Sequence, residues 1–293
     1  MRRRHRIWTW FAVVAVCAVT MLQSVAPAVA AAPVIVAAGD IACGGHPCRN
    51  QRRTAALIAA IHPRAVLTLG DNQYPDGALA EFRSSYHPTW GEFRGKTFPS
   101  PGNHEYHTSG ARGYFEYFGA RAHRGSGGWY AFDLGAWQLI SVNTGHGPPS
   151  DNRLRWVIRV LARDGHRCEL AYWHHPRFSS GREHGSDPRM GELWRVLFRA
   201  GVDVVLNGHE HNYERFAMLD PSGRRSWRGI REFVVGTGGV RTYPIGSGIR
   251  GSQRRIDDHN GVLRMSLHRS AYEWRFIAVG RTTLDKGRQR CHG

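Results

Sequence analysis

One pattern recurs along the chain. A short apolar run stops at Gly or Asn beside a polar group, and residues at helical spacing follow. VIVAAGD (34–40) predicts a strand ending at Asp40, and QRRTAALIAAI (51–61) predicts a helix. AVLTLGD (65–71) predicts a second strand ending at Asp71, and ALAEFRSSY (78–86) a short helix. FPSPGNHEYH (98–107) closes a third unit. GWYAFDLGAWQLISVNT (128–144) predicts an antiparallel hairpin turning at Gly135. DNRLRWVIRVLARD (151–164) predicts a helix capped by its Asp or Asn. CELAYWHHP (168–176) predicts a strand, MGELWRVLFRAG (190–201) a helix and VDVVLNGHEH (202–211) another strand. The last third is strand-rich, in REFVVGTGG (231–239), GVLRMSLHR (261–269) and AYEWRFIAVG (271–280). Strands alternating with helices imply a parallel core, and the late hairpins imply a mixed, two-sheet α/β structure.

Residues 1–30 break this pattern. Four arginines precede a mostly apolar stretch, Ile7 to Leu22, and Ala28-Val29-Ala30 follows. That order predicts a signal peptide removed near Ala30, an exported protein, and no membrane span in the mature chain. Losing those four arginines lowers the formal net charge from +17 to +13. The cationic surface favours anionic, phosphorylated partners. Its charges are scattered rather than blocked, so no specific nucleic-acid readout is expected. No linker or internal repeat divides residues 31–293, which predicts a single domain. FVVGTGG lacks the spacing of a dinucleotide-binding loop.

Of five cysteines, Cys17 falls in the leader, leaving Cys43, Cys48, Cys168 and Cys291. An even number in an exported chain predicts two disulfides, with three pairings open. Cys43–Cys48 is favoured, because Gly44, Gly45 and Pro47 supply a turn between them. Cys168–Cys291 then ties the C-terminus to a strand start.

The candidate chemistry lies at the strand ends. Asp40, Asp71, Asn103 with His104, His174 with His175, and His209 with His211 each follow an apolar run. In open α/β sheets ligands bind beyond the C-terminal ends of strands. On an extended segment, side chains at i and i+2 point the same way, so His209 and His211 are expected on one side. Carboxylates mixed with imidazoles suit iron, zinc and manganese.

Gly39-Asp40, Gly70-Asp71-x-x-Tyr74, Gly102-Asn103-His104-Glu105, His174-x-Pro176 and Gly208-His209-x-His211 resemble the five blocks of the calcineurin-like metallophosphoesterases, in order and spacing. Most branches carry Asp-x-His in the first block, whereas Ala42 stands here; Tyr74 is present where most branches lack a tyrosine. That loss and gain resembles the purple acid phosphatases. The resemblance implies an α/β/β/α architecture, a two-sheet sandwich flanked by helices. It implies two metal ions. The first would take Asp40, Asp71, Tyr74 and His211 and be Fe(III). The second would take Asp71, Asn103, His174 and His209 and be Fe(II), Zn or Mn. His104 and His184 would be the catalytic histidines, and Asn103, His104 and His184 would face substrate; His175 stands where that family varies and would either face substrate or serve the structure. The implied function is hydrolysis of phosphate monoesters by a hydroxide held on the metals. A phosphodiesterase acting on nucleotide, lipid or wall-polymer diesters is the alternative. A silent cationic anion-binding protein is the alternative from another class, set against a ligand set with all seven members present.

Overall fold

The computed structural model describes residues 31–44, 48, 50–163 and 166–292. The expected leader, residues 1–30, lies outside the described residues. No described helix is long and apolar enough to cross a membrane.

Two sheets face each other. The first has strand order β15-β14-β13-β1-β3-β5. Its members are β1 (Val34–Ala38), β3 (Ala65–Leu69), β5 (Thr97–Ser100), β13 (Gly261–His268), β14 (Ala271–Ala278) and β15 (Thr283–Arg290). The second has order β12-β10-β11-β9-β8-β7-β6. It contains β6 (Tyr130–Leu134), β7 (Trp137–Ser141), β8 (Cys168–Tyr172), β9 (Val204–Asn207), β10 (Tyr213–Leu219), β11 (Ile230–Val235) and β12 (Ser252–Ile256). A two-stranded ribbon, β2 (Ala42–Cys43) with β4 (Gln73–Tyr74), joins the loops after β1 and β3. The helices are α1 (Gln51–Ile61), α2 (Leu79–Glu81), α3 (Arg112–Phe118), α4 (Asp151–Leu161) and α5 (Gly191–Ala200).

Strand alternation builds the layers. Along β9, Val204 and Leu206 face the core between the sheets, while Val205 faces the second core under α4 and α5. Phe233 and Val235 of β11 face inward in the same way, and Val234 outward. Residues of α1 and α3 pack into the first core. The result is the expected mixed two-sheet sandwich with helices on its flanks.

Several expectations need correction. Helix α4 is not capped by Asp151 or Asn152: Ser150 is its N-cap and makes no side-chain capping bond. Asp151 instead places negative charge in the first turn, where the helix dipole favours it. The strand expected over 202–211 stops at Asn207. His209 has φ +71°, so a left-handed turn, not strand alternation, aims the two imidazoles. Helix α3 and strands β10, β12 and β15 were not anticipated. In β12 and β15 (SQRRI and TLDKGRQR) the polar residues of a sheet edge hide the alternation.

Both disulfides form as favoured, Cys43–Cys48 and Cys168–Cys291. The second joins the start of β8 to the chain end.

Candidate metal centre

Five loops converge where the two sheets end. The loops after β1, β3 and β5 bring Asp40, Asp71 and Asn103; those after β8 and β9 bring His174, His209 and His211. Asp40 (φ +60°), Asp71 (φ +45°) and His209 (φ +71°) all occupy the left-handed region. Each such residue costs roughly 1–3 kcal/mol, and strain of this kind gathers where function requires a fixed geometry. Gly102 is needed beside them, because a Cβ there would collide with the Asp71 carboxylate.

Each carboxylate uses one oxygen to hold the loops together. Asp40 Oδ2 accepts the His209 N–H (2.9 Å), and Asp71 Oδ1 accepts the His104 N–H (2.9 Å). The other oxygens face two groups of donor atoms. In the first, Tyr74 Oη stands 2.8 Å from Asp40 Oδ1, 3.0 Å from Asp71 Oδ2 and 3.1 Å from His211 Nε2. His211 Nε2 lies 3.3 Å from Asp40 Oδ1. In the second, His174 Nε2 stands 3.2 Å from Asp71 Oδ2, 3.1 Å from Asn103 Oδ1 and 3.1 Å from His209 Nδ1. Asp71 Oδ2 belongs to both.

The histidines are oriented as metal ligands are. His174 Nδ1–H donates to Leu69 O (2.8 Å) and His211 Nδ1–H to Arg241 O (3.0 Å), which leaves each Nε2 to the site. Tyr243 stacks on His211, ring centroids 3.8 Å apart.

The electrostatics ask for positive charge. Asp40 and Asp71 are buried, and among the described residues no Lys or Arg pairs with either. Burial opposes ionisation of Asp71, but the adjoining His174, helped by His104, outweighs it and holds the carboxyl well below its usual range. Burial likewise works against a charged His174, yet Asp71 lifts it to about 9. A proton therefore stands between these two groups where a cation would. Burial, with the charges of Asp40 and Asp71, keeps the Tyr74 phenol protonated, its pKa raised well above the usual value. Burial and the neighbouring His174 push His175 down to about 3, and the same two causes lower His209. Neutral imidazoles are the form that binds metal.

Donor atoms about 3.0 Å apart match the edges of a coordination octahedron with ligands at about 2.1 Å. With two carboxylates, a phenol, an amide oxygen and three imidazoles, the donor set fits two hard-to-borderline cations sharing one oxygen.

The remaining predicted residues line the rim. His104 is fixed by Nδ1–H donation to Pro75 O (2.6 Å), and its ring packs against Tyr74 at 4.2 Å. His175 is buried, with Nδ1 3.0 Å from Thr144 Oγ1, and its ring lies 4.4 Å from that of His209. His184 is exposed and stacks on His209 at 4.0 Å. A cleft of about 510 Å³ opens beside Tyr74, His104 and His211, walled by Tyr243 and the Cys43–Cys48 disulfide. Sequence reasoning missed Glu105, Thr144, Glu210 and Tyr243. Glu105 accepts the N–H groups of Asn72, Gln73 and Gly102, which locks the second loop to the third. Burial, then the Asp71 charge, raises it to about 8. Its place inside Gly102-Asn103-His104-Glu105 was the available signal.

A two-sheet sandwich bearing this donor set at its strand ends is a metallophosphoesterase. Residues 32–213 match the calcineurin-like phosphoesterase family, and the chain belongs to that family. Within it the likeness is to purple acid phosphatases. Purple acid phosphatase 21 of Arabidopsis thaliana is 28% identical over 178 residues, 53% of this chain and 40% of that protein. The chain spans less than half the length of the curated relatives it matches. In fold, it resembles the purple acid phosphatase PPD1 of yellow lupin (Lupinus luteus) at TM-score 0.70 and 15% identity, covering 88% of this chain and 53% of that one. It also resembles GAP50, the anchor in the inner membrane complex of Plasmodium, at TM-score 0.69 and 15% identity, covering 90% of each.

Proposed function

We propose that the chain is an exported phosphate monoesterase with two metal ions. The carrying observation is the shared oxygen: Asp71 Oδ2 lies 3.0 Å from Tyr74 Oη in one donor group and 3.2 Å from His174 Nε2 in the other. Asp40, Asp71, Tyr74 and His211 would hold Fe(III). Asp71, Asn103, His174 and His209 would hold Fe(II), Zn or Mn. When bound, two such ions activate water and neutralise charge growing on the phosphoryl oxygens. Tyr74 supports the trivalent assignment, since a hard cation is what can displace a proton held this firmly.

The chain's own groups do the rest. His104 presents Nε2 to the phosphoryl oxygens, and protonated it adds a charge-assisted hydrogen bond there. The exposed His184 supplies a proton to the leaving oxygen. His175, buried and neutral, shapes the floor beside His209. The two disulfides accord with export. A binding-only protein, as the anchor role of GAP50 invites, has no need for the complete donor set and its strained backbone.

Rates on 4-nitrophenyl phosphate and bis(4-nitrophenyl) phosphate, measured with metal-replete protein across pH 4–9, test this. The proposal predicts kcat/KM at least about tenfold higher for the monoester, with an acidic optimum. Faster diester cleavage favours the phosphodiesterase reading. Phosphate binding without turnover favours the silent one.

A further inference from the structure

The turn Gly208-His209-Glu210-His211 carries an acid between two imidazoles, and that acid is fully buried. Glu210 Oε1 accepts the backbone N–H of His184 (2.7 Å) and of Gly185 (2.5 Å). Its Oε2 is buried without a hydrogen-bond partner. Gly185 has φ +70°, a conformation glycine adopts freely, at the point where the two successive N–H groups meet one oxygen. Gly181 leaves room for the same carboxylate, since a Cβ there would collide with it.

The loop that Glu210 holds is pinned upstream by two more buried glutamates. Glu232 of β11 accepts the N–H groups of Arg177 (2.8 Å) and Phe178 (3.1 Å). Glu214 of β10 accepts from Ser180 N (2.7 Å) and Ser180 Oγ (2.5 Å). Only Glu210 reaches the residue that carries an imidazole toward the site. His184 is exposed; its ring stacks on His209 at 4.0 Å, and the held N–H groups fix the backbone that carries it.

We propose that Glu210 is the positioning residue for His184: by clamping two successive backbone N–H groups it sets the imidazole where the leaving oxygen departs. This rests on the hydrolytic reading above. In the step it serves, water's oxygen bonds to phosphorus as the ester P–O bond breaks. The leaving oxygen takes the His184 proton and departs as the alcohol. The water that was consumed supplies the protons that end on phosphate and on the regenerated imidazole, so one ester and one water give one alcohol and one phosphate. The side-chain clamp replaces a search over loop conformations with one orientation, the entropic gain that proximity provides.

The test compares Glu210→Gln, Glu210→Ala, His184→Ala and the double variant Glu210→Ala/His184→Ala on two monoesters. Glycerol 2-phosphate needs a proton on its leaving oxygen; 4-nitrophenyl phosphate does not. Expected for both alanine variants is a kcat loss on glycerol 2-phosphate about 30-fold or more greater than the loss on 4-nitrophenyl phosphate, with wild-type metal content. Glu210→Gln keeps a carbonyl that accepts both N–H groups and restores turnover to within about threefold, and the double variant is no worse than either single. Equal loss on both substrates, additive effects or lost metal overturns the proposal. Amide hydrogen exchange at His184 and Gly185 supplies a readout free of turnover, and it must accelerate in Glu210→Ala. If the wild type cleaves neither substrate, the hydrolytic reading fails; unchanged exchange then overturns the clamp as well.

Discussion

The Tyr74 phenol oxygen stands 2.8 Å from Asp40 Oδ1, and one proton has to serve that contact and two others at 3.0 and 3.1 Å. A hydroxyl donates once. Asp71 Oδ2, which His174 Nε2 also approaches at 3.2 Å, and His211 Nε2 therefore compete for the one phenol proton, a crowd that a cation resolves. If the cation is Fe(III), tyrosinate charge transfer colours the protein. Tyr74→Phe is expected to abolish the visible band while the far-ultraviolet circular dichroism stays unchanged. Retention of the band in Tyr74→Phe contradicts this assignment.

The two histidines of the turn serve different donor groups, so their losses separate. His211→Ala is expected to remove the coloured site and keep the second metal. His209→Ala is expected to keep the colour and weaken the second metal by about 10-fold or more. Metal analysis of both variants, purified without chelator, checks this; loss of the same ion in each contradicts it.

The chain end supplies a pH dependence remote from the metals. Burial, then the charge of Asp203, raises Glu169 to about 7. Burial raises Asp203 to about 6, against the N–H groups of Glu169 and His292 that stabilise its charge. Both folded values exceed the ordinary 4.5 and 3.8. The folded state thus holds more protons between about pH 4 and 7, so this contribution is full below pH 4 and lost as pH rises through 6 to 7. Glu169→Gln, which removes one of two crowded charges, is expected to raise Tm by about 2 °C at pH 8 and leave it unchanged at pH 4. Scanning calorimetry at both pH values decides, and an equal shift at the two contradicts the assignment.

How far the sequence revealed this site depends on how local each signal is. Asp40, Asp71, Asn103, His174, His209 and His211 each stand just after an apolar run, so strand prediction alone collects them. Tyr74 needed the family comparison, because an aromatic three residues after an aspartate has no local meaning. Glu105 and Glu210 lie inside the same motifs yet were passed over. Their partners, the N–H groups of Asn72 and Gln73 or of His184 and Gly185, are 25 to 33 residues away, fixed only by the folded loops. Strand β10 was hidden because Glu214, a charged residue, points into the protein to meet Ser180 and Ser252.

The Cys168–Cys291 disulfide closes a separation of 123 residues, where the loss of unfolded-chain entropy is large. The Cys168→Ser/Cys291→Ser protein is expected to lose about 2–5 kcal/mol of stability, read from urea unfolding. In the native, unreduced protein Cys43, Cys48, Cys168 and Cys291 should not react with maleimide. Labelling of any of the four contradicts the pairing.

The central claim is that one chain holds two cations sharing Asp71. Its most direct measurement is metal content per chain in wild-type and Asp71→Ala protein, both purified in metal-supplemented buffer without chelator. The account predicts two ions per wild-type chain, at least one of them iron, and one or none in Asp71→Ala, because a shared carboxylate oxygen neutralises both ions at once. Two ions retained in Asp71→Ala, or a single ion in the metal-replete wild type, would contradict it.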